Sequence, residues 1–166
     1  MTAQLAETLI YQGHTMGMCT TPLNDYFALG GNKPDFAGAG TMLWRRYVGT
    51  WEVVNERLYL IALRGNLTNG TEANLATLFP DYPERVFAHW YSGTLRIPKG
   101  KLIKYVHAGF ASTYEQDLYL VIEKGILTNS AVRENGTSTR VDAPVGYGIG
   151  GMLIPSNTKP QGSDAS

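Results

Sequence analysis

"YVGTWEVVNERLYLIALRGNLTN", residues 47–69, decides the fold class of this 166-residue chain. Aromatic and β-branched residues fill it, as they fill strands that pack one face on a core. The polar pair Asn55-Glu56 interrupts it once, which reads as a tight turn between two strands. Much of the stretch then comes round again. "YSGTLRI" starts at Tyr91, and "DLYLVIEKGILTN" ends at Asn129. Leu58-Tyr59-Leu60 falls on Leu118-Tyr119-Leu120 at an offset of 60, which also carries Gly65 onto Gly125 and Leu67-Thr68-Asn69 onto Leu127-Thr128-Asn129. Tyr47, Gly49 and Thr50 match Tyr91, Gly93 and Thr94 at an offset of 44. The 16-residue difference is a stretch containing "PKGKLIKYVHAG". The repeat predicts two hairpin-based β units, about 41–69 and 85–129, packed around a pseudo-two-fold axis.

Working outward, "ETLIYQGHTMGMC" predicts a strand, a turn and a second short strand. "TPLNDYFALGG" predicts a short helix starting near Pro22 and stopping at Gly30-Gly31. "TEANLATLFP" predicts two or three further helical turns, ended by Pro80. "TMLWRRYVGTWEVV", "RLYLIALR", "ERVFAHWYSGTLRI", "LIKYVHAG" and "YEQDLYLVIEKGILTN" all read as strands, with "PKGK" as a hairpin turn. The expected fold is mainly β with two short helices: a compact antiparallel sheet or barrel-like domain over 1–155. After the polar "RENGTSTR", the apolar, glycine-rich arm 144–155 must add a strand to the sheet or dock on another subunit, and 156–166 reads as a disordered tail.

Composition narrows function. The 14 basic and 14 acidic residues cancel, so no basic face for long nucleic acids is indicated. Arg45-Arg46 and Lys99, Lys101 and Lys104 read as solvated strand and turn charges. The single Cys19 excludes an intramolecular disulfide and a cysteine zinc cage, and without a basic neighbour it reads as an inert buried thiol. The histidines, His14, His89 and His107, have no metal-ligand spacing, so no metal or cofactor is expected. "GYGIGG", 146–151, follows loop rather than a strand and is no dinucleotide fingerprint. With no signal-peptide pattern and no long apolar run, the chain reads as soluble and cytoplasmic.

A register argument supplies the candidate site. If "PKGK" closes a hairpin with Ile97 opposite Leu102, Thr94 faces Tyr105 and Ser92 faces His107. One face then carries Phe87, His89, Tyr91, Leu95, Ile97, Leu102 and Val106 as core. The other carries Trp90, Ser92, Thr94, Arg96, Tyr105 and His107. Trp90, Thr94, Arg96, Tyr105 and His107 form the candidate ligand-binding set, with rings to stack a planar group and cations to hold charge. The leading expectation is a non-enzymatic domain that senses or sequesters a small polar or planar ligand, with nucleotide-like molecules among the candidates, and forms a homo-oligomer, a dimer by default. One alternative is a metal-independent hydrolase using His107 with Glu115 or Asp117, and Ser92, Ser112 or Thr113 as hydroxyl. Another is a protein-interaction or inhibitor module.

The strings "LWRRYVGTWEVVNERLYLIAL" and "RVFAHWYSGTLRIPKGKLIKYVHAGFASTYEQDLYL" resemble those of small uncharacterised bacterial proteins, over roughly Leu9 to Asn129. The resemblance implies a bacterial or phage-like origin and a compact β domain, and it carries over no activity or site.

Overall fold

A computed structural model describes residues 3–147. Three two-residue turns organise the sheet. In each, both central residues have positive φ, the conformation whose twist matches that of paired strands. Gln12-Gly13 joins β1 (Glu7–Tyr11) to β2 (His14–Met18). The short helix α1 (Pro22–Ala28) follows, with Pro22 in its first turn and Gly30 at positive φ just beyond its end. Asn55-Glu56 joins β3 (Tyr47–Val54) to β4 (Arg57–Asn66), as the sequence predicts.

β5 (Glu72–Ala73), the single-turn helix α2 (Leu75–Leu78) and β6 (Val86–Phe87) come next. Asn74 and Thr77 cap α2 reciprocally, so its start is well specified, but it spans four residues rather than the expected two or three turns. β7 (Gly93–Lys104) and β8 (Thr113–Glu123) are the longest strands, and Lys124-Gly125 turns β8 into β9 (Ile126–Glu134).

The strands form one nine-stranded sheet in the order β2-β1-β3-β4-β9-β8-β7, with β5 and β6 paired to β4. It is mixed, because β1 runs parallel to β3, and it is not closed into a barrel. β4 meets β9 only at Arg57↔Ile126. On the far side the chain just after β2 reaches β7: Cys19 N–H donates to Arg96 O, and Arg96 N–H donates to Thr20 Oγ1. Between these two joints lies the core, where Trp51, Leu60, Leu95, Leu120 and Ile122 are buried.

The matching strings occupy equivalent places in two antiparallel pairs. Trp51↔Leu60, Glu52↔Tyr59, Val53↔Leu58 and Val54↔Arg57 in β3–β4 correspond, at offsets of 44 and 60, to Leu95↔Leu120, Arg96↔Tyr119, Ile97↔Leu118 and Pro98↔Asp117 in β7–β8. Where β3 turns at once into β4, β7 runs on past Pro98, and the additional residues lengthen the pair.

That continuation overturns the expected hairpin at "PKGK". β7 passes straight through it, and Ile97 opposes Leu118 while Leu102 opposes Tyr114. Gly100, at φ +80°, sits where the register shifts between Lys99 and Leu102, so the glycine serves an irregularity in the strand rather than a reversal. Two other strands are shorter than expected. "ERVFAHWYSGTLRI" breaks after Phe87 because His89 and Tyr91 N–H groups bond locally to the Phe87 and Ala88 carbonyls. "YEQDLYLVIEKGILTN" is two strands, not one, because Lys124-Gly125 is a turn. The start of the C-terminal arm adds to β7: Leu102 N–H donates to Pro144 O, and Gly146 N–H to Gly100 O. The rest of the arm, the "GYGIGG" motif beyond Tyr147, and the tail lie outside the described residues.

Candidate functional site

With the hairpin register gone, the five predicted ligand residues part company. Trp90 packs half-buried against the core: its indole N–H donates to Pro22 O, Phe79 stacks on it, and Tyr26 and Trp51 lie against it. Thr94 is exposed and opposes Val121 rather than Tyr105. Arg96 opposes Tyr119, and its guanidinium donates to Asp117 Oδ1 at 3.0 Å, Phe110 O at 2.7 Å and Ser112 O at 3.1 Å. Arg96 therefore pins the 105–112 loop to the sheet.

Tyr105 and His107 lie beyond the end of β7, exposed, with the tyrosine hydroxyl 2.6 Å from His107 Nδ1. His89, expected in the core, is exposed and touches only the ring edges of Phe87 and Trp90 among the described aromatic contacts.

The hydrolase arrangement is not assembled either. Glu115 accepts the N–H groups of Lys101 and Ser138, which hold its carboxyl below its ordinary value. Asp117 is committed to Arg96, Asn135 and Tyr119. Neither carboxylate orients His107, and Ser112 Oγ bonds the Val106 backbone. Burial pushes the Cys19 thiol up to about 12, against the pull of Arg96 and Arg45, while the residue as a whole keeps some exposure.

Two groups of residues outside the predicted set prove central, and the first overturns the reading of Arg45 as a solvated charge. The first is buried. Glu7 Oε2 accepts Arg45 Nε and Nη2 and the Gly49 N–H, while Oε1 accepts the Trp51 indole N–H. Burial pushes the Glu7 carboxyl up, against the pull of Arg45, Trp51 and Gly49. Arg45 also donates to Leu5 O. Nothing in "LAETL" marks its glutamate as a buried ion, and the partner stands 38 residues away.

The second group follows from the first. Arg45 turns inward to Glu7, and its neighbour Arg46, with φ +68°, lines a cleft instead. The cleft has a volume of about 330 Å³ and lies between the 37–46 loop and the β3–β4–β5 end of the sheet. Leu43, Val48 and Ala73, all buried, give it an apolar floor. Arg46, Arg64, Asn66 and Glu72 supply its polar groups. Strand register puts Arg64 beside Val48 and Asn66 beside Glu72, so these side chains share a face. Two guanidiniums against one carboxylate leave the cleft with one net positive charge.

The cleft's frame is fixed. Gln4 clamps the loop from both sides, its amide N–H donating to Thr41 O and its Oε1 accepting Trp44 N–H, each at 2.8 Å. Leu5 N–H donates to Met42 O, and Arg46 Nη1 donates to Phe36 O. Ala37 N–H and Asn66 O bond at 2.7 Å. Gly65 fits tightly here: a Cβ would come 3.0 Å from Arg46 O and 3.1 Å from the Phe36 ring, so the loop would have to give way slightly. Sequence spacing does not connect Arg46, which reads there as a solvated charge, with Arg64; the β3–β4 pairing does.

A second recess, of about 410 Å³, does join two residues of the predicted face, Trp90 and Ser92, with Asp25, Ala28 and Leu29. Its charged lining residue is an aspartate, which does not suit an anion. Among the described residues no group of histidine, cysteine and carboxylate side chains could hold a metal ion, and no helix is long and apolar enough to cross a membrane. Comparison with family models, curated proteins and solved structures finds no match to this chain.

Proposed function

We propose that this protein is a non-enzymatic binding domain that senses or sequesters a small polar anion, carboxylate- or phosphate-bearing, in the cleft of Arg46 and Arg64. The observation that carries the reading is the pairing of two guanidinium groups with an apolar floor inside a frame already held by Gln4 and Gly65. Arginine presents a planar fork of donors that matches carboxylate and phosphate oxygens. A recess fixed before the ligand arrives loses little entropy on binding. Asn66 and Glu72 supply an acceptor side for ligand hydroxyl or amino groups, which separates a polar metabolite from a bare anion. An apolar floor adds area for a hydrocarbon or base moiety.

The test is calorimetric titration with adenosine 5′-monophosphate and with citrate, one carrying a planar base and the other none. At least one should bind, and be recovered unchanged. Arg64→Ala should weaken that binding about tenfold or more, the worth of a charge-assisted hydrogen bond, while Arg133→Ala, on β9, should leave it as it was. Silence from both probes, or full affinity in Arg64→Ala, would sink the proposal.

A further inference from the structure

Among the described residues, β9 has only one full neighbour. It pairs with β8 from Glu123↔Ile126 to Gln116↔Glu134, whereas its other side meets β4 at Ile126 alone. Every residue from Thr128 to Glu134 is exposed. Antiparallel pairing makes alternate residues bond to opposite sides. Asn135 N–H donates to Glu115 O, which sets Arg133, Ala131 and Asn129 toward β8 as well. Ser130, Val132 and Glu134 therefore turn their backbone N–H and C=O groups away from the sheet. The Ser130 N–H is met locally by Asn129 Oδ1 at 2.9 Å. Among the described residues, nothing bonds the outward groups of Val132 and Glu134.

The other long edges are covered. Cys19-Thr20 and Pro144–Gly146 lie along β7. β5 and β6 pair with β4. β2 is short, and Tyr147 O packs so close to Gly17 that a Cβ there would come within 2.6 Å. Natural sheets blunt exposed edges with proline, bulges or inward charges. β9 carries one bulge, at Thr128 between the Val121↔Asn129 and Ile122↔Leu127 pairs, and two charges, Arg133 and Glu134, at its end, but the Ser130–Val132 stretch between them has none of these. It carries instead an outward valine, Val132, which is 54% exposed and opposes the nearly buried Leu118.

We propose that β9 pairs antiparallel with β9 of a second copy of this chain, with Val132 opposite Val132 across a two-fold axis. The two β7-β8-β9 units then form one continuous six-stranded sheet. A second copy fits this edge because it brings the same unmet groups in mirrored order: the N–H and C=O of Val132 bond reciprocally to those of its mate. In this register Glu134 stands opposite Ser130, and Arg133 opposite Ala131, so no like charges face each other directly. Val132 gains an apolar neighbour on the side where it is now wet. One strand pair buries little surface, so the dimer belongs at the small, transient end of interface sizes and depends on concentration. The proposal stands independently of the ligand cleft, which lies on β3, β4 and β5.

Sedimentation velocity on the full chain tests it, from about 5 µM to about 500 µM, where small interfaces associate. The expected result is a monomer–dimer equilibrium within that range. Val132→Pro removes an N–H that the β8–β9 ladder does not use, and proline is tolerated at such edge positions. This variant should keep the circular dichroism of the parent and shift the dissociation constant upward at least tenfold. Val132→Lys costs no backbone bond and should act the same way, so it decides the matter if the proline variant does not fold. A parent chain that stays monomeric throughout overturns the proposal. So does a folded Val132 variant that dimerises as strongly as the parent.

Discussion

Glu7 shows how much a single buried charge can organise. Its two carboxylate oxygens collect donors from Arg45, Gly49 and Trp51, and each contact ties β1 to β3 or to the segment leading into it. Gly49 cannot carry a side chain, because a Cβ would come 2.6 Å from Glu7 Oε1 and 2.8 Å from the Trp51 indole nitrogen. Removing one partner of a buried pair leaves the other charge without compensation, which costs far more than the pair contributes while intact. Arg45→Met should therefore lower stability by about 3–5 kcal/mol, read from urea unfolding. A loss below about 1 kcal/mol would show the pair to behave like a surface ion pair. Arg45 also fixes where Arg46 can go. With one arginine drawn inward to Glu7, the next residue is left to line the cleft, at a backbone conformation that a non-glycine residue adopts only under constraint.

Turn chemistry explains why some elements were legible in the sequence and others were not. Asn55-Glu56 was recognisable as a turn because it is the polar break between two runs of strand formers. Lys124-Gly125 was hidden, because Ile126 and Leu127 continue the apolar character past the glycine. "PKGK" misled in the opposite direction, since proline and glycine punctuate turns in general, yet here Gly100 serves a shift of register inside a continuing strand. Glu56 occupies a position of the β3–β4 turn that glycine fills without strain, at φ +62°. A non-glycine residue there costs roughly 1–2 kcal/mol. Glu56→Gly creates the favoured Asn-Gly turn and keeps the carbonyl that accepts Leu127 N–H. It should raise stability by about 1 kcal/mol in thermal unfolding. Destabilisation would show that the Glu56 side chain contributes more than its backbone costs.

At the scale of the whole molecule, hydrophobic periodicity was enough for the class of fold: mainly β, with two short helices. It could not give the parallel β1–β3 pairing or the single-residue joint between β4 and β9, because both depend on which strands meet in space. The ligand face failed for the same reason. It rested on one assumed register: β7 pairs with β8 instead, which makes Arg96 a structural anchor, and the strand breaks before Trp90, which packs half-buried against the aromatic core. The Arg46–Arg64 cleft was invisible because its residues come from a loop and three strands that sequence spacing does not connect. That cleft carries the central claim. Amide-resolved NMR during titration with adenosine 5′-monophosphate and citrate tests it most directly. The account predicts shifts that saturate and centre on Arg46, Val48, Arg64, Asn66 and Glu72, with Thr94, Tyr105 and His107 unmoved. Saturating shifts centred on Thr94, Tyr105 and His107 would contradict it, and so would an unchanged spectrum.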